Sequence, residues 1–490
     1  MFQPSTRRWH NKATGAFVGQ ELLKEVRDSV LKRDTLRAFL ASDEVIIPKN
    51  FREAIDSNSS DQWKDAMQDE MRSLIENEVF EVVDKSIVDK QPVKSRWVFT
   101  VKTKQDGQVD KFKARVVAKG YSQIFAVDCF ETYCSVVQIM STRSLQNHAA
   151  RECLYIRQFD IRTAFLYGKL DEDIFMIPPD GYSGNGCIWK LKRSLYGLKQ
   201  SPRMWFQRLN SFLTGSGLSS SRYDQSVCYQ HNPRIYVIVY VDDGLIFART
   251  ENDINSVLAK LSSQFKLREF DPNTYRRLVI EERSDCIVVH QRKYIQLILK
   301  RFKMALSNPC QNPTISLDVE EQSEPLSDEI PFRQVVGSLV YLADSSRPDI
   351  SFAVNQLARE LSALSMSDWK RAKHVLRYLR GTVNLGLTYR RHPASVERKL
   401  IGFCDSDFAG SVETSKSTPV FIILLNGAPF HWKTQLQRHV TVSSTEAELI
   451  ALCSPSKELA WIRRMAIELE LVDSGASVIL CDNMSAMRIA

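Results

Sequence analysis

Asp242 and Asp243 stand side by side between two apolar runs, Ile235 to Val239 and Leu245 to Ala248. Adjacent acids at the end of a buried strand are costly to hold unless a cation compensates them. Phosphate chemistry with two divalent ions about 4 Å apart needs such a point: one ion helps activate an attacking hydroxyl, and the other neutralises the phosphate leaving group. Magnesium takes few protein ligands and keeps water and phosphate oxygens, so two or three carboxylates on rigid elements suffice. The run Tyr240-Val241-Asp242-Asp243 supplies two. Asp243-Gly244 is also a hairpin-turn signal, and on those two residues alone both readings stand. Asp160 closes the run YIRQF and is the candidate third carboxylate; by itself it reads equally as a helix cap after a strand.

The elements that must hold these acids are legible from periodicity. YIRQFDI (155–161) reads as a strand, and 235–248 as two apolar strands interrupted by the aspartates. Residues 200–213 read as a helix. Ile254, Val257, Leu258, Leu261 and Phe265 mark an amphipathic helix, as do Trp63, Met67, Met71, Leu74 and Ile75 within 61–80. SRWVFTVKTKQDGQVDKFKARVVAKG reads as two strands around a turn at Asp106-Gly107. From Lys94 to Lys119 it carries eight basic and two acidic residues, which suits a phosphate-facing hairpin or a solvated face. Pro309, Pro313, Pro325 and Pro331 mark a linker over 307–331. SDWKRAKHVLRYLRG then reads as a helix capped by Ser367 or Asp368 and ended by Gly381. Lys370, Arg371, Lys373, Arg377 and Arg380 give it a basic outer side, suited to duplex phosphates or to water.

The chain has 490 residues, a formal net charge of +8 and a pI near 8.9. That length allows two or three domains, and the mild basicity suits a polyanionic partner. Ten scattered cysteines without a C-x-x-C pair read as reduced thiols of the cytoplasm or nucleus. The start MFQPSTRRWHNK has no apolar signal region, and the longest apolar run, Ile235 to Val241, is too short to span a bilayer. Residues 1–43 form a polar N-terminal segment without an assigned domain.

Several stretches in register resemble the reverse transcriptases of copia-type retrotransposons. FDIRTAFLYGKL (159–170) resembles the family's motif with the first catalytic aspartate. LYGLKQSPRMWF (195–206) resembles its next conserved segment, and YVDD follows at the expected distance. KFKARVVAKGYSQ and FETYCSVV match upstream. GSLVYLADSSRPDISFAVNQLARELS and HVLRYLRGT match the region that joins the polymerase to RNase H. The resemblance runs from about residue 50 to 490.

It implies an α+β chain. A right-hand polymerase fold of fingers, palm and thumb would fill 44–306, with a linker and connection helices over 307–383. An incomplete RNase H-like α/β domain would fill 384–490. It implies an RNA-directed DNA polymerase whose partners are an RNA template, a DNA primer, the RNA–DNA hybrid and deoxynucleoside triphosphates. Asp160, Asp242 and Asp243 would hold two Mg2+ ions, or Mn2+ in their place. Phe165 would lie under the incoming sugar and clash with a 2′ hydroxyl. Gly197, Lys199, Ser201 and Pro202 would flank the template base and nucleotide, and Arg115 with Lys102 or Lys104 would meet the triphosphate.

GFCDSDFAG, SSTEAELIAL and LCDNMSAM resemble the first strand, the first helix and the third-acid strand of the family's RNase H. They imply Asp405, Glu448 and Asp482 as a second two-metal site, with Asp407 and Glu446 as near alternatives or surface acids. The fourth acid would lie beyond Ala490, so impaired RNA cleavage is expected, and a piece of a polyprotein. The sequence departs from the family at three places. Arg277-Leu278-Val279 stands where an aromatic-Leu-Gly group grips the primer end, Ser135 where proline is usual, and Val420 where glycine is usual. These departures favour the alternative of a decayed or co-opted protein that binds nucleic acid without catalysis, whereas the intact acids favour the polymerase.

Overall fold

The computed structural model describes residues 46–103, 109–182, 186–268, 274–315, 325–327, 329–359, 364–391, 397–411 and 414–490. Residues 1–43, Lys104 and the Asp106-Gly107 turn lie outside them.

A central sheet of six antiparallel strands organises the first half. Its order is Leu267–Arg268, Tyr155–Ile161, Asp243–Ala248, Ile235–Tyr240, Val227–Gln230 and Ser219–Ser220. Alternate residues of Ile235–Tyr240 enter two different cores. Val237 and Val239 pack with Trp205, Leu209 and Leu213 of helix Ser201–Gly215 and with Ile254, Val257 and Leu261 of helix Glu251–Ser262. Tyr236 and Ile238 face the other way, toward Leu145 and Ala149 of helix Ile139–Glu152. The sheet is therefore covered on both sides, which is why its central strands are almost wholly apolar.

Helix Ser60–Glu76 backs the basic hairpin formed by Ser95–Thr103 and Val109–Ala118, with Trp63 against Phe99 and Phe112. A three-stranded sheet of Phe80–Val83, Ile188–Arg193 and Lys169–Met176 completes that end.

A further sheet runs Thr274–Tyr275, Leu278–Glu282, Cys286–His290 and Leu387–Arg390. The last strand pairs with Cys286–His290 across nearly a hundred residues. Between them, helices Arg292–Arg301, Phe332–Ser345, Ser351–Arg359 and Met366–Gly381 share one core. Ser365, not Ser367 or Asp368, caps the last of these helices. Its hydroxyl accepts from the Asp368 N–H, and the Asp368 carboxylate accepts from the Ser365 N–H in a reciprocal box. Asp368 is thus the third residue of the helix, not its cap.

The C-terminal unit has strand order Ala428–Thr434, Pro419–Leu425, Leu400–Ser406 and Val478–Leu480, the last pair parallel. The long helix Ser444–Glu468 packs on this sheet. The unit shares its core with the central sheet, and helix Ile139–Glu152 is the layer between them. Every residue of that helix from Ser141 to Arg151 is buried although most are polar. Arg143 donates to the carbonyls of Phe430 (3.1 Å), Ser345 (2.8 Å) and Asp344, with its guanidinium 3.8 Å above the Trp432 ring. Asn147 donates to the Leu425 carbonyl at 2.8 Å, and Ser141 to Asp224 at 2.7 Å. Among the described residues no helix is long and apolar enough to cross a membrane.

Candidate active site

Asp243 begins its strand directly opposite Asp160 on one side and Tyr240 on the other. Opposed residues of an antiparallel pair point to the same face, so the two carboxylates rise together. Between Tyr240 and Asp243 the loop is only Val241 and Asp242. The turn is thus two residues earlier than Asp243-Gly244, with Val241 in the left-handed region at φ 58°. A β-branched residue holds that conformation only when its surroundings impose it. Trp205 Nε1 donates to the Val241 carbonyl at 2.6 Å, and the Ile161 N–H donates to the Asp242 carbonyl at 2.9 Å. Gly244 serves a close approach: a Cβ there would lie 2.2 Å from the Phe159 ring and 2.9 Å from the Ile238 carbonyl.

Asp243 is only 6% exposed. Burial, reinforced by the carboxylates of Asp242 and Asp243 and a hydrogen bond with Asp243, pushes the Asp160 carboxyl up to about 6; Arg268 opposes this. A carboxyl whose pKa is raised beside two others marks crowded negative charge that a bound cation would balance. The donors are all oxygen and sit at the end of a rigid sheet, which fits a hard divalent ion of the magnesium class.

Phe165 meets Tyr196 edge-on at 5.0 Å, and the Arg115 guanidinium lies 4.9 Å over the same Tyr196 ring. Tyr196 therefore joins the basic hairpin to the Asp160 segment, a role that motif reading missed. Lys113 was also passed over. Burial, then Arg115 and Lys102, drive its amine down to about 8, while Glu70 and Asp160 pull the other way. Its signal was the alternation Lys111, Lys113, Arg115, which puts three bases on one strand face. Lys102 lies across from Lys111.

Gly197, Lys199 and Ser201 take part in building the fold. At Gly197 (φ +92°) a Cβ would lie 2.1 Å from the Ala118 carbonyl, and the Ala118 N–H donates to Tyr196 O at 2.8 Å. The Lys199 ammonium donates to the Gln123 carbonyl at 3.0 Å. Ser201 is buried, and its hydroxyl donates to the Leu195 carbonyl at 2.6 Å; Pro202 follows it in the first helical turn. On the basic helix, Arg377 and Arg380 donate to the carbonyls of Asn308 and Ala305 and so fasten the start of the linker.

A second acidic cluster lies in the C-terminal unit. Asp405 is near the end of Leu400–Ser406, Glu448 near the start of Ser444–Glu468, and Asp482 just beyond the parallel strand Val478–Leu480. The Ser406 N–H bridges Asp405 Oδ1 (2.8 Å) and Glu448 Oε1 (3.2 Å). Burial raises the Glu448 pKa, with Asp405 and Asp482 adding to the rise and the Ser406 N–H opposing it. The two neighbouring acids are used locally: Asp407 accepts from the Thr418 N–H, and Glu446 from the Val442 N–H at 2.8 Å.

The departures from the family pattern fit without breaking strands. Val279 pairs with Thr274 and His290 in a regular ladder, and Val420 lies opposite Asp405. Arg276 and Arg277 form the turn before Val279 with φ of 49° and 66°, and the Arg276 guanidinium lies 3.8 Å over the Tyr240 ring. Ser135 accepts a hydrogen bond from Ser226 at 3.2 Å.

Residues 77–316 match the family described as reverse transcriptase (RNA-dependent DNA polymerase). The chain belongs to that family. More narrowly, it belongs with the Pol polyproteins of copia-type retrotransposons. It is 33% identical over 460 residues to the retrovirus-related Pol polyprotein from transposon TNT 1-94 of Nicotiana tabacum, covering 90% of this chain and 34% of that one. It is 34% identical to the corresponding polyprotein from transposon RE1 of Arabidopsis thaliana, covering 89% and 30%. The chain thus spans about a third of the length of these relatives. A solved foamy viral protease-reverse transcriptase in complex with double-stranded DNA matches with TM-score 0.49 and 12% identity, over 100% of this chain and 79% of that one.

Proposed function

We propose that this chain copies an RNA template into DNA, adding deoxynucleotides to a DNA primer, with Asp160, Asp242 and Asp243 as its metal-binding acids. The observation that carries the reading is the register of the central sheet: Asp243 opposite Asp160, with Asp242 in the adjoining two-residue turn. Two Mg2+ ions there, or Mn2+, would polarise the primer hydroxyl and neutralise the departing pyrophosphate. The chain's own residues bound the nucleotide. Phe165, braced by Tyr196, forms the floor under the sugar and disfavours a 2′ hydroxyl. Arg115, Lys113 and Lys102 supply positive charge for the triphosphate. Asp405, Glu448 and Asp482 are assigned on the same reasoning to cleavage of the RNA strand of a hybrid. The ten thiols suit a reducing compartment, the cytoplasm or nucleus.

The test is extension of a DNA primer on an RNA template with Mg2+ and deoxynucleotides. Extension is expected. Binding of the hybrid without extension would favour a co-opted binder, a reading that the Arg276-Arg277 turn beside Tyr240 supports.

A further inference from the structure

The second acidic cluster contains a thiol. Ligand atoms of Glu448, Cys481 and Asp482 all lie within 4.8 Å of one another. The Cys481 sulfur is 3.8 Å from Glu448 Oε2. Behind it lies a second sulfur: Phe403 pairs with Leu480 in the parallel ladder, so the next residues, Cys404 and Cys481, are neighbours across the strands, and the Cys404 thiol donates to the Leu480 carbonyl at 3.8 Å.

Magnesium has no use for sulfur, because hard ions take oxygen donors. Zinc-class ions bind thiolate and carboxylate together, with bonds of about 2.0–2.3 Å. Tetrahedral bonds of that length place ligand atoms roughly 3.3–3.8 Å apart. The Cys481–Glu448 separation already lies in that range, and a small contraction would bring in Asp482. The polymerase cluster, by contrast, offers oxygen alone.

We infer that the Asp405–Glu448–Asp482 centre also takes a thiophilic divalent ion of the zinc class, bound through Cys481 Sγ with Glu448 and Asp482. On binding, the sulfur–metal bond forms as the thiol proton leaves to solvent. The ion occupies two carboxylates that Mg2+ would need, so zinc and magnesium compete at this centre, and the thiolate tips that competition strongly toward zinc. The inference rests on reading Glu448 and Asp482 as metal-binding acids.

The experiment titrates the full chain, reduced and metal-free, with Co2+ as a zinc-class probe and records the sulfur-to-cobalt charge-transfer absorption. One band is expected per chain, abolished by one equivalent of Zn2+ and little changed by excess Mg2+. Cys481→Ser should remove the band and weaken Co2+ binding by more than about tenfold, while Cys453→Ser on the exposed helix surface should keep it. Thermal unfolding confirms that each variant is folded. No band in the unaltered chain, or an unchanged band in Cys481→Ser, overturns the inference. Mn2+ binding followed by paramagnetic resonance separates the two claims. A share of the bound Mn2+ lost in Glu448→Gln, the Asp160 centre keeping the rest, with no cobalt–sulfur band, leaves the acidic site standing and sinks the thiol's part. Neither ion bound sinks both.

Discussion

Asp160 and Asp243 occupy directly opposed positions on neighbouring antiparallel strands, more than eighty residues apart in sequence. Their shared face, with Asp242 in the adjoining turn, is the geometric basis for the proposed polymerase centre. Replacing Asp160, Asp242 or Asp243 with Asn should lower primer extension by more than about 100-fold, since even residues that only support metal ligands cost about 10–100-fold. Affinity for an RNA–DNA hybrid should stay within a few-fold. Extension at the original rate in any of the three would remove that residue from the site.

The raised Asp160 pKa gives a pH signature. In the folded chain it lies near 6, above the unfolded value of about 3.9. Its favourable contribution to stability is therefore full below about pH 4 and is lost as pH rises through about 6. Without metal, Asp160→Asn should gain thermal stability relative to the original chain between those values and hold the gain at neutral pH. Mg2+ should shrink the difference. A difference that does not vary with pH would contradict the crowded-carboxylate account.

Phe165 stands on Tyr196. Phe165→Val should raise use of ribonucleotides relative to deoxynucleotides by roughly 10–100-fold, the scale on which pocket shape discriminates. Competing single-nucleotide incorporations measure it. An unchanged ratio would make Phe165 a packing residue only.

Trp205 holds the left-handed Val241 through its carbonyl. Trp205→Phe keeps most of the packing and removes the donor. Extension should slow by roughly 10- to 100-fold, the cost of small misplacements of reacting groups, with hybrid affinity unchanged. If hybrid binding and extension fell together, the role of Trp205 would be general stability and not positioning.

Arg143, on the helix between the two sheets, ties one carbonyl of the C-terminal unit, Phe430, to two at the end of helix Phe332–Ser345, Asp344 and Ser345. Arg143→Ala should cost at least about 3 kcal/mol, since each buried carbonyl left unpaired costs about 1–3 kcal/mol. Denaturant unfolding should show both halves losing structure together. A shift confined to the C-terminal unit would mean the halves fold independently.

The sequence by itself determined the strands at 155–161 and 235–248, the flanking helices, the basic hairpin strands and the candidate acids. In each case a local pattern carries the signal: period-two or period-3.6 burial, or acids stranded in apolar runs. The tertiary structure alone decided which turn carries Asp242. Asp-Gly is locally the better turn, but Phe159 fills the space beside Gly244 and keeps that glycine in the strand. It also decided that Leu387–Arg390 pairs with Cys286–His290, a partnership with no local trace. The helix Ile139–Glu152 is the plainest case. A run as polar as Ser-Thr-Arg-Ser-Leu-Gln-Asn-His shows no apolar stripe, yet it is buried on all sides because two sheets close over it. Carbonyls and carboxylates from both sides answer its side chains, such as Leu425 to Asn147 and Asp224 to Ser141. Burial of a polar segment depends on partners distant in sequence, and only the folded chain brings them into place.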